Sequence, residues 1–130
     1  CMAATMAAKG ASVVGMDVSP ATVDAVNAGR APVLEPGLDP LVAETVASGR
    51  LRATTDAREA VLASDLSFVI VPTPSDSTGG FSTRFVEQVM RDVGRALRDK
   101  EGYHLVVLTS TVLPGATARD VLPILEAESG

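Results

Sequence analysis

Tryptophan is absent from this chain of 130 residues, and its aromatic side chains are one tyrosine and three phenylalanines. So few rings exclude a stacking platform for bases or sugars within these residues. The single cysteine cannot build a disulfide framework and fits a reducing compartment. With one histidine and one cysteine, no His/Cys/Asp cluster has metal-ligand spacing. The 11 Lys and Arg residues gather on no one face and the formal net charge is -5, which argues against a nucleic-acid partner. No apolar run approaches the ~18 residues of a membrane span, so no membrane partner is expected. No basic segment followed by an apolar one marks a signal peptide, and a cytoplasmic protein is the expectation. The chain opens on Cys1 rather than an initiator Met, which leaves a leader open. P-loop and nucleophile-elbow motifs are also missing.

What is present is apolar and punctuated. Hydrophobic residues make up 46%, enough at this length for a core of one domain or part of one. The organising stretch is Leu66 to Asp76, LSFVIVPTPSD. Its near-continuous apolar run reads as a parallel strand buried on both faces, near the middle of a sheet. Pro72 and Pro74 cannot continue a central ladder, so Thr73 is expected at the strand's carboxyl end, where open α/β sheets bind ligands.

Short apolar strands are expected at 12–17, 51–54 and 105–108. Helices are expected between them: at 2–9, after Ser19-Pro20, after Asp39-Pro40, after Asp56 with Glu59 as a capping box, and after Ser82. The face of the helix after Ser82 is Phe85, Val86, Val89, Met90, Val93 and Leu97. A last helix over about 117–126 should kink at Pro123. Residues 75–80 read as a polar loop. The order α-β-α-α-β-α-β-α-β-α predicts an α/β fold with a doubly wound parallel sheet, Rossmann-like.

Three strand ends carry candidate chemistry. Asp17 closes the strand SVVGMD. In a dinucleotide-binding unit an acid about 20 residues after the first glycine bonds the adenosine ribose. Counting back from Asp17 lands before Cys1, so on this reading the first strand and its glycine-rich loop are missing. The other reading is a turn acid that helps Ser19 cap the next helix. No Arg directly follows Asp17, which favours NAD over NADP. Thr73, and Ser110 with Thr111, put hydroxyls past buried strands, either for a cofactor or for backbone groups in tight turns. Three such ends in one sheet favour a shared crevice. Glu35 is either a functional loop acid or a solvated one. His104, at the amino edge of its strand, and Cys1, expected in packing, read as structural.

These residues resemble the amino-terminal NAD-binding domain of the UDP-glucose/GDP-mannose dehydrogenase family. The resemblance rests on Val14-Gly15-Met16-Asp17, Asn27-Ala28-Gly29-Arg30, Glu35-Pro36-Gly37-Leu38, Ser48-Gly49-Arg50-Leu51, Ala53-Thr54-Thr55-Asp56, Val71-Pro72-Thr73-Pro74, and Ser110-Thr111-Val112 with Pro114-Gly115. It implies oxidation of the C6 alcohol of a UDP- or GDP-sugar to a carboxylate, in two NAD-dependent steps. It further implies that Asp17 binds the adenosine ribose, that Thr73 and Thr111 line the nicotinamide side, and that Thr111 helps orient the catalytic water. The alternative is the NAD-binding domain of another dehydrogenase, such as a 3-hydroxyacid dehydrogenase; a nucleotide-sensing domain is a third option. The family often carries Lys five residues after the ribose acid, where this chain has Thr22. The catalytic cysteine, the nucleotide-sugar domain and a dimer-forming helix are expected beyond Gly130. The resemblance thus implies a homodimer at full length and no turnover from these residues alone.

Overall fold

The structure is a computed structural model and describes residues 1–74 and 82–130. The chain divides into two compact units, Cys1–Ala63 and Ser64–Gly130. Helices and parallel strands alternate in both, as an α/β fold of the doubly wound, Rossmann-like kind requires. The expected loop at 75–80 lies outside the described residues.

The first unit contains α1 (Met2–Ala8), β1 (Val13–Met16), α2 (Pro20–Asn27), α3 (Leu38–Ala47), β2 (Leu51–Thr54) and α4 (Ala57–Leu62). β1 and β2 pair in parallel, with Val13 opposite Leu51 and Met16 opposite Thr54. Parallel strands need a crossover, and the α2–α3 connection supplies it. Ala4 and Ala7 of α1 pack with Leu38, Val42 and Leu51 in one buried cluster. Small side chains on α1 let the helices approach closely there. Ser19 caps α2 by accepting from the Thr22 amide, with Pro20 opening the helix, as its sequence signals. Asp56 likewise caps α4, accepting from the amides of Arg58 and Glu59.

Two details of this unit differ from expectation. Asp39 does not cap α3. Gly37 holds the cap position with φ +77°, a conformation glycine adopts at no steric cost, and Asp39 Oδ1 instead accepts from the Ala31 amide at 2.7 Å. The carboxylate therefore ties the preceding loop to the first turn. Glu59 does not return to the Asp56 amide. It accepts from Thr54 Oγ1 at 2.6 Å and pairs with Arg52, while the Asp56 amide donates to Thr54 Oγ1.

The second unit contains β3 (Leu66–Val69), α5 (Arg84–Leu97), β4 (Leu105–Leu108), a π-helical turn (Thr117–Val121) and α6 (Leu122–Ser129). β3 and β4 pair in parallel, from Leu66 opposite Leu105 to Val69 opposite Leu108. Val69, Val86, Met90 and Val121 form the buried cluster. α5 and α6 pack tightly because position 94 is glycine: a Cβ there would lie 2.6 Å from Glu128 Cβ. A π turn precedes Pro123, which stands in the first turn of α6, where the N–H that proline lacks is not needed by the helix.

The central strand departs from its expected burial. Val69 is buried, but Phe68 is 39% and Ile70 59% exposed. Each strand pair is a separate two-stranded sheet among the described residues, so β3 is hydrogen-bonded along one side only. The apolar run marks a strand suited to cover on both faces, and the described residues cover one. On α5, Thr83 rather than Ser82 precedes the helix, and its hydroxyl donates to Glu87 at 2.7 Å. Phe85 lies at the margin of the buried face, 40% exposed, with the Arg84 guanidinium over its ring.

Candidate functional site

In the first unit the carboxyl end of β1 delivers Asp17. Its amide donates to Thr54 O at 3.2 Å, one step beyond the β1–β2 ladder. Its Oδ1 accepts from the Ser19 amide at 2.8 Å. That bond is the turn-capping role open to an acid here, and it leaves Oδ2 for a second partner. Both sequence readings of Asp17 therefore fit one side chain.

A cleft of about 170 Å³ opens beside Asp17, lined by Met16, Thr22, Val26, Pro32 and Val33 among others. That volume is below the ~300–1,000 Å³ of a site enclosing a drug-sized molecule, and suits one ring system. Among the described residues its walls are mostly apolar and include no Lys or Arg, and Asp17 is the only charged side chain on them. A neutral, hydroxyl-bearing group matches such a lining, and a phosphate does not. Thr22, where a Lys was noted as frequent, lies on this wall.

Three side chains, those of Thr54, Glu59 and Asn27, support the strand ends around Asp17. Thr54 joins the end of β2 to α4 through Glu59 and the Asp56 amide. The Thr54 hydroxyl and then Arg52 hold the Glu59 carboxyl below the usual carboxylate range. Asn27 completes the edge of β2: its Oδ1 accepts from the Ala53 amide at 2.7 Å, and its Nδ2 donates to Ala53 O at 2.9 Å. A side-chain amide thereby makes the two bonds of a neighbouring strand. The signal was there in Asn27-Ala28-Gly29-Arg30, without a physical reason attached.

Glu35 is exposed and accepts from the Cys1 thiol. Cys1 is exposed as well, at the start of α1 rather than packed in a core, because the first helical turn leaves its side chain at the surface.

In the second unit, Thr73 and Thr111 follow β3 and β4, and the parallel pairing puts both at the same end of the pair. Thr73 is half-buried and Thr111 exposed. The three hydroxyls after β4 separate by role. Thr109 Oγ1 donates to Val69 O at 3.1 Å. Ser110 Oγ accepts from the Val71 amide at 2.8 Å and donates to Val71 O at 2.9 Å. Thr111 has no hydrogen-bond partner among the described residues and so presents a free hydroxyl. At the opposite end of the pair, His104 joins Ser67 Oγ and Ser64 O, each at 2.9 Å. Burial of its ring lowers its pKa, more than the Ser64 carbonyl raises it. It is a structural pin. Among the described residues no group of three His, Cys, Asp or Glu could hold a metal, and no helix is long and apolar enough to cross a membrane.

The whole chain, residues 1–130, matches the model of the NAD binding domain of the UDP-glucose/GDP-mannose dehydrogenase family. It is 49% identical over 128 residues to GDP-mannose 6-dehydrogenase of Azotobacter vinelandii, covering 98% of this chain and 29% of that protein. It is 40% identical over 129 residues to a UDP-glucose 6-dehydrogenase of Haloferax volcanii, covering 99% and 30%. The crystal structure of a ternary complex of GDP-mannose dehydrogenase from Pseudomonas aeruginosa superposes with a TM-score of 0.96 at 43% identity, over 99% of this chain and 30% of that one. The chain thus spans under a third of the length of the relatives it matches.

Proposed function

Because the chain belongs to the UDP-glucose/GDP-mannose dehydrogenase family, through that family's NAD binding domain, we propose that it is the cofactor-binding part of a nucleotide-sugar 6-dehydrogenase. The reaction is oxidation of the C6 alcohol of a nucleotide-sugar to a carboxylate in two NAD-dependent steps. The match of the family model over all 130 residues carries this reading and sets the hydroxyacid dehydrogenase alternative aside. GDP-mannose is the first substrate to test, since the relative of that name at 49% identity exceeds the UDP-glucose relative at 40%.

Bound NAD supplies the hydride acceptor. Asp17 holds the adenosine ribose through its hydroxyls, and a carboxylate beside a cleft with no Lys or Arg among the described residues supports this. That carboxylate also repels a 2′-phosphate, so NAD is preferred over NADP. Thr73 and Thr111 line the nicotinamide side, and the free Thr111 hydroxyl orients the catalytic water. The catalytic cysteine and the sugar-nucleotide domain belong to sequence outside this chain, the full-length protein is a homodimer, and it works in the cytoplasm.

The test is full-length protein given NAD with GDP-mannose or UDP-glucose, followed by NADH absorbance. Two NADH per sugar oxidised is the expected yield, with none from residues 1–130 alone. Absence of NADH with every nucleotide-sugar, or steady turnover by the 130-residue chain, would contradict the proposal.

A further inference from the structure

We propose that Ser110 is a positioning residue whose hydroxyl fixes Thr73 and Thr111 relative to each other; this rests on the roles given above to those two threonines. The ladder between β3 and β4 ends at Val69 and Leu108, with the Thr109 amide donating once more to Val69 O at 3.0 Å. It cannot be extended through Pro72, which has no N–H. Val71, half-buried, has no strand beside it among the described residues. Ser110 supplies both missing bonds from one oxygen, accepting from the Val71 amide at 2.8 Å and donating to its carbonyl at 2.9 Å. The hydroxyl has one proton to give and gives it to Val71, so it donates nothing to a ligand.

The consequence reaches Thr73 because the intervening backbone is stiff. Pro72 and Pro74 each fix φ near -65°, and a residue before proline is confined to extended conformations. Thr73 lies between them, two residues from the clasped Val71. Thr111 is the residue next to Ser110 itself. One hydroxyl therefore sets both strand exits, at the position where hydride transfer tolerates little misplacement.

The experiment compares Ser110→Ala and Ser110→Thr with the wild type in the full-length protein, using NAD and ADP-ribose, which is NAD without its nicotinamide. Ser110→Ala should weaken NAD binding about tenfold and lower kcat by a similar factor, with ADP-ribose affinity unchanged. Ser110→Thr keeps the hydroxyl and should recover NAD binding. A purely structural serine would alter both ligands together. Equal weakening of NAD and ADP-ribose, an unchanged NAD affinity in Ser110→Ala, or no recovery in Ser110→Thr would each overturn the proposal. Failure of the wild type to bind NAD would instead overturn the reading of Thr73 and Thr111 beneath it.

Discussion

The two units of this chain end their strands in different ways. In Cys1–Ala63 the backbone ladder runs on to Asp17, whose amide bonds Thr54 O, and ionised side chains finish the work: Asp17 on Ser19, Glu59 on Thr54 and Arg52. In Ser64–Gly130 prolines stop the ladder, and neutral hydroxyls from Thr109 and Ser110 take over. The first solution leaves a carboxylate at the strand end, suited to sugar hydroxyls. The second leaves a small neutral hydroxyl, Thr111, where we propose that the nicotinamide side of the cofactor lies. The contrast teaches that a strand end is chosen for what it must leave free.

Packing gives the largest expected difference. Gly94→Ala puts a Cβ into Glu128 Cβ and the Leu125 carbonyl, so α6 must move off α5. Such overpacking should cost about 2 kcal/mol, read by urea unfolding. Gly15→Ala in the first unit meets nothing nearer than 3.8 Å, and a loss as large there would break the comparison. Asn27→Ala strips two bonds from the edge of β2 and should cost about 1 kcal/mol, with faster amide exchange at Ala53. Unchanged exchange at Ala53 would show that water replaces the side chain without loss.

Acid should reach the two units in different windows. His104 holds its proton less well folded than unfolded, because its ring is partly buried. The unfolded chain thus binds more protons, and the stability from this residue is complete above the ordinary histidine value of 6.5 and lost as pH falls below it. Glu59 is held below its ordinary 4.5, so its contribution is present above 4.5 and lost as pH falls through the lowered value. An NMR titration should show the His104 imidazole with its midpoint below 6.5. A midpoint above that value would remove the first window.

Much of this architecture was legible in the chain because its punctuation is local. Ser19-Pro20, Asp56 and Gly29 mark helix ends by their own conformational preferences, and the alternating order of helices and strands followed from them. Asp17 was legible as an acid that closes a strand. Burial of β3 was overestimated, since apolar composition tells that two faces want cover and not what covers them. Asp39-Pro40 was misread because Gly37, two residues earlier, caps at no steric cost. Ser110 could not be told from Thr109 or Thr111 in Thr-Ser-Thr. Three adjacent hydroxyls are equivalent in sequence, and only the exit of β3 at Val71 separates them.

The most direct test is the affinity of the full-length protein for NAD and NADP, with and without Asp17→Asn. The substitution keeps the size of the side chain and removes its charge. We expect the wild type to prefer NAD, and Asp17→Asn to weaken NAD by roughly tenfold or more while erasing that preference. Equal affinity of the wild type for both cofactors, or an NAD affinity indifferent to Asp17→Asn, would contradict the assignment of this strand end to the adenosine ribose.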